Sequence, residues 1–294
     1  MPLGFIGLGV MGTPMAGHLT RAGNTVLGWS RSGRNHEAAR IAGVQPVTQL
    51  QDVFSACRTL VLMLANDEAI DSVLGRNTAT FPARVHGRLV INMGTSSAAY
   101  SQALGEQIRA AGGRYVEAPV SGSRVQAESA QLVVMLAGED ADVAEASPLL
   151  APLGRQCIAC GQVPAALRMK LAVNLYLITL VTALGEAVHF AEVHGIALAR
   201  FAEVLNAGPM ASEVSRIKLD KMIRGDFAVQ ASITDVLKNS GLVADAAREA
   251  GMHAPLIDAS DALFARAQQM RLGGLDMAAV LQAIRGCPPA TGGA

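Results

Sequence analysis

Hydrophobic residues form short continuous runs in the first half of the chain, and polar segments and glycines separate them. The runs at 59–64 ("TLVLML") and 89–93 ("LVINM") are typical of parallel strands that are covered on both faces. A helix is predicted at 10–22, where Gly23 ends it. Further strands are predicted at 3–6, 25–29, 115–120 and 131–137. This alternation of strands and helices predicts a doubly wound α/β domain.

The second half has a different pattern, because the strand signals stop near residue 163. The periodicity predicts a long helix over 167–195, and further helices at 199–205, 213–223, 232–250 and 255–269. We therefore expect a doubly wound sheet domain at 1–162 and an all-α domain at 163–294, joined through the long helix. The last residues, 287–294 ("CPPATGGA"), are expected to form a disordered tail.

Composition narrows the class of protein. The chain has 294 residues, of which 51% are apolar and 16% charged, so it can bury a substantial core. Lysine plus arginine and aspartate plus glutamate are equal at 24 each. Because there is no basic surplus, we expect neither nucleic acid nor an anionic membrane surface as a partner.

The long helix is too apolar to be exposed along its whole length. Its most apolar run, 171–184, is shorter than the ~20 residues of a membrane span and contains Asn174, Thr179 and Thr182. A buried helix is the better interpretation. We expect it to pack on the second domain or on another subunit, so a homodimer or homotetramer is predicted.

Cysteine and histidine give no sign of a metal site. Cys157 and Cys160 have C-x-x-C spacing, but no second pair or matching histidines follow them. His189 and His194 are five residues apart, whereas two histidines that bind zinc from one helix are spaced i and i+4. We predict no metal. The low cysteine content and the absence of a secretory leader pattern favour a reducing cytoplasm.

A G-x-G-x-x-G motif follows the first predicted strand and opens the first predicted helix; its residues are Gly7, Leu8, Gly9, Val10, Met11 and Gly12. In this context the first glycine permits a tight turn, the second lets the backbone approach a pyrophosphate, and the third lets helix and strand pack closely. The motif predicts a dinucleotide site at the helix N-terminus. A glycine-rich turn without a ligand is the alternative.

The end of the second strand indicates which dinucleotide is bound. Enzymes that use NAD place an acidic residue there to bind the ribose hydroxyls, but no acid occurs between 23 and 37. Arg31 can hold a 2′-phosphate, Ser30 and Ser32 can donate hydroxyl hydrogen bonds, and Arg34 is a second cation. We predict a preference for NADP(H), with NAD still possible. A solvated basic loop is the alternative.

Lys170 is the first of only four lysines, and an apolar run follows it. Burial can lower the pKa of a lysine by several units, which would let it exchange protons near neutral pH. Asn174 lies at i+4 and therefore shares a helix face with it. The pair predicts acid–base chemistry on a hydroxyl-bearing carbon. A lysine whose stem lies on the core and whose ammonium is in water is the alternative.

A turn of small residues, Ser121, Gly122 and Ser123, ends the strand predicted at 115–120. Such a turn can direct N–H groups and hydroxyls at a carboxylate, or it can be an ordinary polar turn. On a later helix, Lys238 follows two apolar residues, so its face is expected to be partly covered.

Four segments resemble the β-hydroxyacid dehydrogenase family and occur in that family's order: "GFIGLGVMGTPMAGHL" (4–19), "EAPVSGS" (117–123), "KLAVN" (170–174) and "LKNSGLVADAA" (237–247). The resemblance implies a Rossmann-type domain followed by an all-helical domain. It also implies hydride transfer between a nicotinamide cofactor and a small 3-hydroxy acid, or the matching semialdehyde.

The resemblance assigns roles to matching positions. Lys170 corresponds to the catalytic lysine and Asn174 to its partner, while the Ser121–Ser123 turn corresponds to the cradle of a substrate carboxylate. The positions that correspond to cofactor contacts, besides the glycine motif, are Leu64, Ala65, Thr95 and Lys238.

The sequence departs from the family at several of these places. Ala65 replaces a proline, Ser123 a second glycine, Asn239 an aspartate, and Ala130 with Gln131 a Gly-Thr pair. Arg124 is unusual and offers a contact for a second anionic group. These departures leave the chemistry in place and the substrate open.

Two other functions remain to be separated from this one. Imine reductases share the architecture but typically lack the lysine, so Lys170 argues against them. A dinucleotide-binding relative without turnover is the other, and such relatives also lose the lysine.

Overall fold

The computed structural model describes residues 1–286 and divides the chain into two compact units. The first unit is Met1–Lys170, and the second begins at Leu171. The boundary proposed from the sequence falls after residue 162, just before the long helix Ala165–Val193. The division between the two units falls within that helix, after Lys170. The tail proposed to be disordered, 287–294, lies outside the described residues.

The first unit is built on a nine-stranded sheet in which β3, β2, β1, β4, β5, β6, β8 and β7 are neighbours in that order and β9 pairs with β8. The strands are β1 Leu3–Ile6, β2 Val26–Trp29, β3 Gln45–Pro46, β4 Thr59–Leu62, β5 Leu89–Asn92, β6 Arg114–Glu117, β7 Val120–Ser121, β8 Leu132–Gly138 and β9 Gly154–Gly161. From β3 to β6 all pairs are parallel, whereas β8 is antiparallel to β6 and β7. The predicted doubly wound sheet is confirmed, with a mixed edge.

Eight helices connect the strands of this unit. They are α1 Gly12–Arg21, α2 His36–Ile41, α3 Leu50–Ala56, α4 Asp67–Leu74, α5 Phe81–Val85, α6 Ala98–Ala110, α7 Arg124–Glu128 and α8 Asp140–Leu150. The helix predicted from residue 10 begins at Gly12, because the preceding residues form the turn after β1.

Both faces of the sheet are covered, which explains the continuous apolar runs. In β4, Leu60 and Leu62 pack into one hydrophobic cluster and Val61 into another, and all three are fully buried. Successive side chains of a strand point to opposite faces, so a run without polar residues is needed where both faces are buried.

The second unit is helical throughout its described part, as predicted. The long helix is α9 Ala165–Val193, and the helices after it are α10 Leu198–Ala207, α11 Glu213–Arg224, α12 Ile233–Glu249, α13 Pro255–Gln269 and α14 Val280–Arg285. Their apolar faces meet in one core, to which α9 contributes Ile178, Val181 and Val188. By length and composition α9 could span a membrane, but 44% of its most apolar window is buried inside the protein.

A buried ion pair links α11 to the segment that leads into α14. The ammonium of Lys218 on α11 lies 2.8 Å from a carboxylate oxygen of Asp276, which is fully buried. The same carboxylate accepts hydrogen bonds from the backbone N–H groups of Gln230, Ala231 and Ala278. Because the carboxylate is so well satisfied, the charge can be kept in the core.

Candidate active site

The turn between β1 and α1 is packed on one side and open on the other. Gly7 has φ of +112°, and a Cβ there would lie 2.1 Å from the carbonyl oxygen of Met63. A Cβ on Gly12 would lie 1.9 Å from the carbonyl oxygen of Gly7. A Cβ on Gly9, in contrast, would meet nothing within 4 Å. The space above Gly9 is therefore open to a ligand.

The residues between these glycines also divide into a packed side and an open side of the turn. Leu8 is buried in the core, whereas Val10 is exposed. Met11, at the N-cap position of α1, gives the helix no side-chain hydrogen bond. The N-terminal N–H groups of a helix attract anions, and the side chain of Met11 does not compete for them. These features fit the pyrophosphate of a dinucleotide.

The basic loop after β2 is tied to the glycine turn. The side-chain amide of Asn35 donates a hydrogen bond of 2.7 Å to the carbonyl oxygen of Leu8. Sequence reasoning missed Asn35, since an asparagine in a loop has no distinctive signal. Ser30 has a buried hydroxyl without a partner among the described residues, and the exposed side chains of the loop are Arg31, Ser32 and Arg34. The loop therefore presents cations and hydroxyls beside the glycine turn.

The loops after β4 and β5 continue the same edge of the sheet. Leu64 is half-buried and Ala65 is exposed, while Thr95 is half-buried in the next loop. The side-chain oxygen of Asn92 accepts a 3.0 Å hydrogen bond from the N–H of Gly94, which fixes the chain directly before Thr95. Since β2, β1, β4 and β5 are parallel neighbours, their carboxyl ends bring the predicted cofactor residues of the first unit to one edge.

The small-residue turn begins at Ser121, the last residue of β7. Gly122 has φ of +130°, a conformation that glycine adopts without strain. The N–H and hydroxyl of Ser123 both donate to the side-chain oxygen of Gln126, at 2.9 and 2.8 Å. Arg124 forms an ion pair with Glu128 at 2.7 Å. The hydroxyl of Ser123 is thus engaged at the start of α7, and Ser121 with Gly122 form the part of the turn that can receive a carboxylate.

Lys170 lies in the second turn of α9 and is 9% exposed. Burial lowers the pKa of its ammonium to about 8. One turn further along the helix, Asn174 is 3% exposed, and its amide nitrogen has no hydrogen-bond partner among the described residues. A buried donor without a partner is costly, so an amide of this kind is suited to a ligand. The pair offers a titratable proton and a hydrogen-bond donor on one helix face.

The remaining predicted residues lie on α12 in the second unit. Lys238 and Asn239 are both half-buried, and the side-chain oxygen of Asn239 is buried without a partner among the described residues. Between residues 1 and 286, no group of three or more histidine, cysteine, aspartate or glutamate side chains is placed to hold a metal ion.

Both units match models of nicotinamide-dependent enzymes. Residues 2–161 match the NAD binding domain of 6-phosphogluconate dehydrogenase. Residues 165–284 match the NAD-binding model of NADP-dependent 3-hydroxyisobutyrate dehydrogenase. The two matches together cover almost all of the described residues.

Whole-length relatives point in the same direction. Glyoxylate/succinic semialdehyde reductase 1 of Arabidopsis thaliana is 29% identical over 97% of this chain and 99% of the relative. The 2-hydroxy-3-oxopropionate reductase of Escherichia coli (strain K12) is 27% identical, over 97% of each chain. The fold is that of the 3-hydroxyisobutyrate dehydrogenase of Mycobacterium tuberculosis, solved with L-serine: the TM-score is 0.85 at 24% identity, over 97% of this chain and 99% of the other.

Proposed function

The chain belongs to the β-hydroxyacid dehydrogenase family, and from this premise we propose that it is an NADPH-linked reductase or dehydrogenase of a small 3-hydroxy acid or its semialdehyde. That the chain is an NAD(P)-dependent oxidoreductase acting on CH–OH groups follows from the family. One observation supports the finer proposal: a lysine is buried on a helix with its pKa lowered to about 8, and one turn later comes a buried asparagine whose amide nitrogen has no partner in the described part of the chain.

In this proposal Lys170 handles the proton that accompanies the hydride. A nicotinamide cofactor, when bound, would supply the hydride for reduction and accept it in oxidation. In reduction the Lys170 ammonium donates a proton to the developing alkoxide, and in oxidation the neutral amine removes the hydroxyl proton. General acid–base help of this kind is worth about 10² to 10⁴ in rate. Asn174 orients the substrate or the amine through its side-chain amide, whose nitrogen has no partner within residues 1–286.

The proposed preference for NADPH rests on the loop after β2. Arg31 and Arg34 are exposed there, Ser30 and Ser32 carry hydroxyls, and no carboxylate occupies the position that binds ribose hydroxyls in NAD enzymes. The loop is also held against the glycine turn through Asn35. A 2′-phosphate in this loop would be bound by charge-assisted hydrogen bonds. NADH lacks that phosphate and would bind more weakly.

The proposed substrate is a small carboxylate with an aldehyde or hydroxyl group. Its carboxylate would be held by the N–H groups and hydroxyl of Ser121 and Gly122, because Ser123 already donates to Gln126. The names of the relatives suggest which compounds to try, since they include reductases of glyoxylate, succinic semialdehyde and 2-hydroxy-3-oxopropionate.

A substrate panel tests the proposal. Purified protein is assayed with glyoxylate, succinic semialdehyde, 2-hydroxy-3-oxopropionate and 3-hydroxyisobutyrate, each with both cofactors and in both directions. We expect turnover of at least one of these compounds, with a higher kcat/KM for NADPH than for NADH. A higher efficiency with NADH would contradict the cofactor proposal. Turnover of cyclic imines alone would favour an imine reductase, and bound cofactor without any turnover would favour a non-catalytic relative.

We also propose that the protein acts as a cytoplasmic homodimer or homotetramer. Large apolar side chains in the second unit remain exposed, among them Tyr176 and Phe190 on α9 and Val204 on α10. In α10 no residue is buried. Large apolar side chains left exposed on helices are often covered by another subunit. Light scattering should give a mass of two or four chains, and a monomer at micromolar concentration would contradict the proposal.

A further inference from the structure

Glu117 is a fully buried carboxylate that the proposed chemistry does not use. It ends β6 in the middle of the sheet, where its Cα pairs with Asn92 on β5 and with Ala137 on β8. An ionisable group in such a place is costly unless other groups satisfy it. The partners of its side chain therefore indicate why a carboxylate is kept there.

Two of those partners are in the first turn of α9, and another is the hydroxyl of Ser101 on α6. One carboxylate oxygen of Glu117 accepts hydrogen bonds from the backbone N–H of Ala166 at 3.1 Å and of Leu167 at 3.2 Å. The first N–H groups of a helix have no partner within the helix, and the helix dipole favours a negative charge beside them. Glu117 thus caps α9 from a strand that lies about fifty positions earlier in the sequence. Burial raises the pKa of the Glu117 carboxyl, and the hydrogen bonds of the Ser101 hydroxyl and of these N–H groups act in the opposite direction.

The strand that carries Glu117 is itself held firmly. The backbone N–H of Ala118 donates a 2.7 Å hydrogen bond to the carbonyl oxygen of Asn92. The side-chain amide of Asn92 donates to the hydroxyl of Tyr115, which in turn is 2.8 Å from the hydroxyl of Ser101. All four residues that make these contacts are buried. The carboxylate of Glu117 is therefore held in a fixed position, and it can hold the groups that hydrogen-bond to it.

Two residues of the candidate site lie close along the chain to Glu117 or to the helix turn that it caps. Lys170 follows Leu167 by three residues on α9, and Ser121 follows Glu117 by four residues on the chain. We propose that Glu117 is a positioning residue, which fixes the first turn of α9, and with it Lys170, relative to the strand that leads to Ser121. The inference rests on the proposed function, in which Lys170 transfers the proton and Ser121 binds the carboxylate.

Two substitutions separate hydrogen bonding from bulk. Glu117→Gln keeps a side-chain oxygen that can accept from the same N–H groups, whereas Glu117→Leu has similar size and accepts no hydrogen bond. We expect kcat of Glu117→Gln to stay within about threefold of the wild type and kcat of Glu117→Leu to fall at least about tenfold, since small displacements of a catalytic group are costly. The Kd for NADPH should change less than about twofold in both, because the cofactor proposal places no contact there.

A matched control is available in the same unit. Asp142 is also a buried carboxylate, but it pairs with Arg114 at 3.0 Å instead of capping α9. Asp142→Asn should lower the Tm and leave kcat per folded molecule unchanged. If it lowered kcat as much as Glu117→Leu does, the loss would be a general effect of stability and the proposal would be overturned. Equal losses in the Gln and Leu variants, or full turnover in Glu117→Leu, would overturn it as well.

Hydrogen exchange gives a readout that does not need the reaction. The amides of Ala166 and Leu167 should exchange faster in Glu117→Leu than in the wild type, and at nearly the wild-type rate in Glu117→Gln. Unchanged exchange in Glu117→Leu would overturn the proposed anchoring. If the Leu variant does not fold, Glu117→Ala supports the same comparison. If the wild type turns over no hydroxy acid or semialdehyde, the proposed function fails, whereas the exchange rates still decide whether Glu117 holds the helix.

Discussion

At the scale of single residues, the protein buries polar groups at positions where their burial costs free energy of folding. Lys170 and Asn174 are both buried, and the amide nitrogen of Asn174 has no partner among residues 1–286. Burial of an ammonium disfavours its charged form, which is why the pKa of Lys170 is lowered to about 8. A lysine with this pKa can donate or accept a proton close to neutral pH, and an exposed lysine can do so only as a donor.

This pKa predicts opposite pH dependences for the two directions of the reaction. Reduction needs the Lys170 ammonium, so its kcat should fall as the pH rises through about 8. Oxidation needs the neutral amine, so its kcat should rise through the same range. Both profiles are measured with cofactor and substrate at saturation. Midpoints near the ordinary pKa of a lysine, or profiles of the same sign, would contradict the assignment.

The same burial predicts that Lys170 lowers the stability of the fold. Its folded pKa is below its unfolded value, so the cost is full below pH 8 and disappears as the pH rises above the unfolded pKa of about 10.5. Lys170→Met keeps the length of the side chain without the charge. At pH 7 we expect this variant to be stabilised by about 1–3 kcal/mol, seen as a Tm several degrees higher. The gain should shrink at pH 10, and a lower Tm at pH 7 would contradict the prediction.

At the scale of elements, the turn between β1 and α1 contains one glycine that the fold requires, Gly7, and one that we propose lies against the cofactor, Gly9. Gly7→Ala would place a Cβ 2.1 Å from a backbone oxygen at a positive φ, so we expect a loss of several kcal/mol in the free energy of unfolding. Gly9→Ala meets no atom within 4 Å and should leave the Tm within about 2 °C of the wild type. It should nevertheless raise the Kd for NADPH at least about tenfold, because the methyl group would occupy the path of the pyrophosphate. Calorimetry and fluorescence titration measure the two effects. Tight NADPH binding by Gly9→Ala would show that the turn does not hold the phosphates.

Most strands, and the helices α9 to α13 of the second half, could be predicted from the sequence because their apolar residues follow one period for most of their length. In the first unit only α1 was located, because the shorter helices α2 to α8 show less periodicity. The strand at Leu3–Ile6 and the helix at Pro255–Gln269 have the predicted bounds. The strand predicted at 115–120 is interrupted, since Pro119 has no N–H to donate. The strand β3 was not predicted because two residues carry no periodicity, and α14 was not predicted because six residues after a buried 3₁₀ turn resemble a loop.

The site was predictable where a residue type has a special property. Glycines in a βα turn, a lysine among apolar residues and a loop without acids can be recognised locally. The hydrogen bonds of Asn35 and Glu117 could not, because each joins residues that are far apart in the sequence. Such contacts depend on the order of strands in the sheet, which a single sequence does not specify.

At the scale of the whole molecule, cofactor binding should increase the stability of the folded state and so raise the Tm. A ligand that binds only the folded state stabilises it by about 2.7 kcal/mol at a concentration of 100 Kd. If the loop with Arg31 and Arg34 holds the 2′-phosphate, NADPH should raise the Tm more than NADH at equal concentration. The double variant Arg31→Ala with Arg34→Ala should remove this difference and leave the effect of NADH unchanged. Equal shifts in the wild type would contradict the NADPH preference.

The proposed mechanism depends on Lys170 as the group that transfers the proton. The most direct measurement is the kcat of Lys170→Ala on the substrate that the panel identifies, together with its Kd for NADPH. We predict that kcat falls at least a hundredfold, at the lower end of what acid–base catalysis contributes, while the Kd stays within about twofold. Full turnover by Lys170→Ala, with NADPH bound as in the wild type, would contradict the proposed mechanism.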